Sequence, residues 1–444
     1  MTGIGLPRLG VAGAVMACIT IACFSGSPLT AEQKLPQVAP IGATAEGKKF
    51  YPRWRGPSGQ GVVERGGYPD LWSETKNVLW AVELPGAGNS SPIIWADRIF
   101  LTTAYERGKR RSIICLHRIH RRRLWQTFAP EAVPERSSGK NGHATSTPST
   151  DGERVYAYLG NHGLLCVDFT GRQIWHRSLG EISTRHGTAG SPLLYRDRII
   201  IFQDGTIREG DTKTGGFVAA FDKLTGRTLW RTPRKERVGW GSPVAVRVGD
   251  HDEIIVSSQR KVYAYDPETG KELWYFSGNL SEVTPTPVIG HGLLFCCSGR
   301  AGPTLAIRPG GSGDVTDTHL AWRANKGSPF VPSPLLYGDY LYMINDMNGV
   351  VTCYRAQSGE LQWQQRLGAG KGGGFSASPV GVDGKVFFTS ERGDTYVLEA
   401  GAQFKLLRVN SLGERMLASP ALCDGKWYFR TARRLVCVAS SAAE

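Results

Sequence analysis

Ala220-Phe-Asp-Lys-Leu-Thr-Gly-Arg-Thr-Leu-Trp230 returns further along the chain as Ala264-Tyr-Asp-Pro-Glu-Thr-Gly-Lys-Glu-Leu-Trp274. Each copy reads as strand, turn, strand. An apolar strand runs into an Asp whose carboxylate accepts turn amides, and a Gly supplies the positive φ that closes the hairpin without a Cβ clash. A second strand then ends at Trp. Working outward, Ser/Thr-Pro followed by an apolar stretch recurs at Ser91, Thr147, Ser191, Ser242, Thr286, Ser333, Ser378 and Ser419. A proline is tolerated at the start of a strand, where its missing N–H need not join the ladder, so the dipeptide marks the beginning of each unit. The units are 41 to 56 residues apart, a period that suits four short strands each. Turn pairs such as Asp383-Gly384 and Asp424-Gly425 separate the strands, and no stretch carries the 3.6-residue period of a helical solenoid. The chain is therefore expected to be all-β, an eight-bladed β-propeller of four-stranded antiparallel blades.

Tryptophans at 80, 125, 175, 230, 274, 322 and 363, with Leu407 in the eighth place, are expected to lay a flat face against the neighbouring blade. The last unit has room for three strands only. Asn77–Leu84, before the first Ser-Pro, supplies its fourth, and closure by both termini removes exposed sheet edges.

Residues 1–31 read as a secretory signal, because apolar Leu9–Phe24 follows Arg8 and gives way to Ser25-Gly26-Ser27. Cys23 is a possible site of lipid attachment. Residues 32–76 form an N-terminal extension, 77–440 the propeller and 441–444 a short tail. Among the 444 residues, Lys and Arg exceed Asp and Glu, for a net charge of +14, which favours polyanionic neighbours. The runs Arg107 to Arg111 and Arg121 to Arg123 lack interleaved aromatics, so they read as solvated hairpin tips and no nucleic acid is expected.

The pattern Ala-x-Asp-x-x-Thr-Gly-Lys-x-x-Trp resembles the repeat of the pyrroloquinoline-quinone (PQQ) propeller superfamily, over residues 77 to 440. That resemblance covers quinoprotein dehydrogenases and the non-catalytic BamB-like propeller lipoprotein of outer-membrane β-barrel assembly. The stretch Trp54-Arg-Gly-Pro57 is similar to one in exported PQQ-like repeat proteins. Two function classes follow. One is a non-enzymatic envelope propeller, periplasmic or outer-membrane-associated, monomeric, binding a protein or peptide partner through one face and without a cofactor. The other is an oxidoreductase using PQQ with calcium. Carbohydrate stacking on exposed aromatics is a third reading.

Cys115, Cys166, Cys353 and Cys437 fall where Ala220, Ala264 and Ala306 stand in other units, so they replace a small buried residue. Quinoprotein alcohol dehydrogenases carry a disulfide between adjacent cysteines, which draws attention to Cys296-Cys297. Here that pair lies in a second strand, where neighbours point to opposite faces and cannot bond. Calcium would need converging oxygens. Asp204, Glu209 and Asp211 cluster in an insertion that also holds Arg208 and Lys213, which suits a solvated loop. No catalytic or metal residues are assigned. The candidate binding face comprises His143, Arg185, His186, Trp240, Phe330, Phe375 and Arg415, with Lys140 and Met416, near the channel mouth. Trp240 and the two Phe are alternatively channel plugs.

Overall fold

A computed structural model describes Met1 and residues 37–205, 215–236, 239–280, 282–299, 302–368 and 374–440. The expected signal beyond Met1, Cys23, Arg208, Glu209, Asp211, Lys213 and the tail lie outside the described residues. Eight antiparallel blades form the ring, and the described helices are three single 3-10 turns. Blade 1 runs Ile93–Trp95, Arg98–Tyr105, Arg110–His117, Arg123–Phe128, and the later blades follow the same innermost-to-outermost order. Val78–Glu83 completes blade 8 by pairing with Arg434–Val438. The repeat units and the closing strand are where the sequence places them.

The register explains the repeat. The third-strand Cys or Ala faces the fourth-strand Trp across the ladder: Cys115 with Trp125, Cys166 with Trp175, Ala220 with Trp230, Ala264 with Trp274, Ala306 with Trp322, Cys353 with Trp363 and Cys437 with Trp80. A small residue opposite the ring leaves room for it. Asp222 and Asp266 accept the expected turn amides, from Thr225 at 2.8 Å and Thr269 at 2.7 Å. Gly226 and Gly270 have φ of 68° and 71°. A Cβ on either would stand 2.6 and 2.4 Å from the preceding blade's Trp175 and Trp230, so these glycines also make room for the inter-blade ring. The indoles of Trp125, Trp175, Trp230, Trp322 and Trp363 each donate Nε1–H to a carbonyl of the next blade. Trp274 instead donates to Glu253, under a short strand Gly313–Asp314 that pairs parallel with it.

One repeat position is corrected. In blade 7 the bulge falls at Leu407, and Arg408 takes the register opposite Val397. Its hairpin lacks the Thr-Gly turn from which blades 2, 3 and 4 can be counted. The aromatic filling between blades 7 and 8 comes from the N-terminal extension, whose Trp72 is 2% exposed and packs against Phe387, Trp427 and Phe429. Asp70 beside it pairs with Arg408 at 3.4 Å and Lys385 at 3.2 Å.

The rest of the described extension fills the channel from the side of the first-to-second-strand turns. Val38–Pro40 pairs with Val244–Val248 of blade 4, and Tyr51 bridges Ile94 of blade 1. Pro52 carbonyl accepts from Thr150 of blade 2, Gln60 Oε1 from Ile289 of blade 5, and Arg55 donates to Pro334 of blade 6. Gly61 and Val63 exchange backbone bonds with Gly381 of blade 7, and Tyr51 Oη donates to Pro420 of blade 8.

Candidate functional site

In a four-stranded antiparallel blade, the connection to the next blade and the turn between strands two and three emerge on one side. On this connection face the long loops ending at Thr147 and Ser191 cross the channel mouth. Asn141 Nδ2 donates to the carbonyls of His186 (2.8 Å) and Thr188 (3.2 Å), while Asn89 Nδ2 donates to Asn141 (2.6 Å). Lys140 reaches Glu391 of blade 7 at 2.9 Å and approaches Asp346 of blade 6 at 3.9 Å. Trp240 Nε1 donates to Gly187 at 2.9 Å, and its ring lies 5.6 Å from that of His186. Arg185 is exposed and stands 3.4 Å from Glu282.

A buried ion pair anchors this cover. Arg111 lies in the basic run expected to be a solvated tip, yet it is fully buried and fork-bonded to Glu135 at 2.9 and 2.7 Å. It also donates to Leu159 carbonyl, Gly108 carbonyl and His143 Nδ1. That correction has a physical cause: a planar cation with five donors satisfied can sit under loops that Arg107 and Arg110 decorate from outside. Burial and the Arg111 charge hold His143 below the usual histidine range, which fits a neutral ring accepting at Nδ1. Burial works to raise Glu135, and the two Arg111 bonds overcome it, leaving the carboxyl below its usual range. The run Arg121 to Arg123 is exposed as expected.

The candidate face residues therefore divide. His143, His186 and Trp240 belong to the knitted cover, Arg185 and Arg415 are exposed, and Phe330 is half-buried with its amide donating to Asp346. Phe375 does not reach the face. It is 2% exposed and packs beside Tyr396 in the core between blades 6 and 7, and Met416 is likewise buried.

Behind the cover lies an axial cavity of about 100 Å³, bounded by Trp240 on the connection side and Trp54 of the plug on the other. Its wall includes the Ser or Thr of all eight Ser/Thr-Pro pairs. From Ser91 round to Ser419, the backbone N–H of each donates to the hydroxyl oxygen of the next, at 2.8–3.0 Å. The hydroxyls thus link innermost strands of adjacent blades. A quinone and a calcium ion do not fit these residues. Ligand pockets are typically about 300–1,000 Å³, and calcium takes about 6–8 oxygen ligands. Of the carboxylates near the mouth, Glu391 and Glu282 pair with Lys140 and Arg185, while Asp346 accepts the Phe330 and Val331 amides at Oδ1 and leaves Oδ2 without a hydrogen bond, 3.9 Å from Lys140; among the described residues no three His, Cys, Asp or Glu converge to complete a cation site. Cys296 and Cys297 are free thiols on opposite sheet faces, one packed between blades 4 and 5 and the other between blades 5 and 6. Burial pushes both thiols up, Cys297 to about 12, so neither is a thiolate at neutral pH.

Sequence signals for the cover were available in part: the loop before Thr147 belongs to the longest unit, 56 residues from Ser91, whereas the loop before Ser191 belongs to a unit of ordinary length, 44 residues. Glu135, Asp346 and Glu391 carried no signal, because each meets its partner only in the folded ring.

A PQQ-repeat family model described as outer membrane protein assembly factor BamB matches residues 109–360 and 347–443. A curated outer membrane protein assembly factor BamB of Burkholderia pseudomallei is 25% identical over 237 residues, 52% of this chain and 54% of that protein. The chain thus aligns with about half the length of that relative. Among solved structures, BamB from Moraxella catarrhalis superposes with a TM-score of 0.58 at 13% identity, covering 82% of this chain and 97% of that one. Quinohemoprotein alcohol dehydrogenase from Comamonas testosteroni gives 0.61 at 12% identity, covering 88% and 80%. Both likenesses establish the shared propeller fold.

Proposed function

Because the chain belongs to the PQQ-repeat family described as outer membrane protein assembly factor BamB, we propose that it is a non-enzymatic scaffold of the cell envelope. It binds a protein or peptide partner on the connection face and serves the assembly of outer-membrane proteins. The observation that carries this reading is the closure of the channel from both ends. With Trp54 and the plug below, and Lys140, Asn141 and Trp240 above, the axial cavity among the described residues is about 100 Å³, below ligand size. What stays available is a rigid outer surface with Arg185, Arg415, His186 and the half-buried Phe330 on it. A rim of arginine and aromatic groups on a fixed backbone suits protein recognition, where such residues dominate binding energy. The protein works in the periplasm or against the outer membrane, as a monomer and without a cofactor, exported by its apolar N-terminus; no described helix is long and apolar enough to cross a membrane.

The test is in-cell photocrosslinking from positions 185 and 415, with position 121 on an outer hairpin as control. A discrete adduct with an envelope protein from the two face positions alone supports the scaffold. Titration of the purified protein with PQQ and calcium decides the dehydrogenase alternative: saturable binding at one site per chain, with substrate-dependent dye reduction, would overturn the scaffold reading.

A further inference from the structure

Buried arginines on the connection face come with a carboxylate. Arg111 has Glu135, and Arg234, between blades 3 and 4, donates to Asp204 at 2.9 Å. Arg430, at the end of the second strand of blade 8, breaks that pattern. It is 3% exposed and donates from Nη1 to Ser90 carbonyl (3.2 Å), Ser90 Oγ (2.6 Å) and Thr102 carbonyl (2.9 Å). Among the described residues no carboxylate lies within ion-pair distance of it, and its Nε and Nη2 make no hydrogen bond. Glu414, next to Arg415 in the chain, is taken by Arg434 at 2.8 Å and Arg433 at 3.5 Å. The plug's Arg53 and Arg55 also lack carboxylates, but they lie in the channel on the far side, against backbone carbonyls.

In place of a carboxylate, Arg430 has a slot. It lies between blades 8 and 1, has a volume of about 150 Å³, and is walled by small residues, among them Ala87, Gly88, Ala418 and Ala432, with Arg415 at its rim. Nη2 lies in this wall, only 2.6 Å from where a Cβ on Gly88 would stand. A water's share of liquid is about 30 Å³, so the slot has room for a larger group.

We propose that this slot is a carboxylate-binding site, in which the buried guanidinium of Arg430 and the exposed one of Arg415 receive an acidic side chain or chain terminus of a polypeptide. The inference rests on the reading of this face as partner-binding and names the chemistry it selects. A guanidinium fork matches a carboxylate in shape as well as charge, and such bonds are strongest where water is thin. Burial already pushes Arg430 down to about 9, the mark of a cation without its counter-charge, and a bound carboxylate would reverse that. Small walls admit the carboxylate and its methylene stem while excluding bulkier groups.

The experiment is methyl-NMR titration of alanine-labelled protein, following Ala87, Ala418 and Ala432, with three N-acetylated peptides. They are acetyl-Gly-Ala-Asp-Ala-amide, its Asn analogue, and acetyl-Gly-Ala-Ala with a free C-terminus. Either acid should shift the three methyls saturably, the relative strength of the two acids telling side chain from terminus, and the Asn peptide should not. Arg415→Ala, whose side chain is outside the core, should weaken binding several-fold, and Arg430→Gln by about tenfold or more, the scale of one charge-assisted bond. Gly88→Ala should crowd Nη2 and weaken it too, which keeps the test alive if Arg430→Gln fails to fold. Equal shifts from the Asn peptide, or binding unchanged in Arg415→Ala and Gly88→Ala, would overturn the site. Peptide binding without any crosslinked partner keeps the slot and removes the scaffold; crosslinks from position 185, which leaves Arg415 in place, undiminished in both variants keep the scaffold and remove the slot.

Discussion

Trp72 replaces a repeat residue from outside the repeat. Position 408 breaks the run of tryptophans with an arginine, and the missing ring arrives from a segment more than three hundred residues earlier. Trp72→Ala should cost about 3–5 kcal/mol, since it removes a buried aromatic that three others pack against; thermal melting within about 1 °C of wild type would show the gap is filled otherwise. The Arg111–Glu135 pair makes a second prediction at this scale. The Glu135 carboxyl is held below its usual range in the fold, so its contribution is fully present above the unfolded-state value and is lost as pH falls through the folded one. Glu135→Gln should destabilise by about 3 kcal/mol near neutral pH, because Arg111 loses its counter-charge. The difference from wild type should hold from neutral pH down to the unfolded-state value, about pH 4.3 for a free Glu, and shrink only below it as the folded carboxyl protonates. A denaturant series across that range reads it directly. Cys296 and Cys297 should each take an alkylating label after denaturation without reductant, and a mass two hydrogens lower with no label would mean a bridge. The cysteines were legible, because their places follow the alternation of a strand and the alignment of units. The buried arginines were not: Arg107, Arg110 and Arg111 look alike in sequence, and only the fold puts Glu135 under one of them.

At the scale of elements, the blades were readable because they repeat the same local chemistry, with a proline where a strand begins, turn glycines, and in all but blade 7 a Trp opposite a small residue. The plug repeats nothing. Residues 38 to 63 hold their place by one short strand pairing and by scattered bonds to the innermost strands of other blades, and such contacts leave no periodic trace. Phe375 shows the same limit: its loop position suggested exposure, while packing against Tyr396 draws it into the core. A variant lacking residues 37–76 loses Trp72 and every plug contact while keeping Val78–Glu83 for closure. It should fold with a lowered melting temperature and an open channel. Melting indistinguishable from the full chain would show that the ring stands without its plug.

For the whole molecule, the eight blades are joined three times over: by indoles reaching to the next blade, by the strand that returns from the N-terminal side, and by amide-to-hydroxyl bonds round the channel. The plug adds a matter of timing. Its partners include Ala245, Ile289, Pro334, Gly381 and Pro420, which a ribosome or an export channel delivers long after residues 38 to 63. A segment with such distant partners cannot settle when it appears; pairings of that separation are slow, on the order of milliseconds to seconds. A stretch made early must wait for much of the circle around it to be drawn, so residues 38 to 63 should finish settling only after blades that follow them by hundreds of residues.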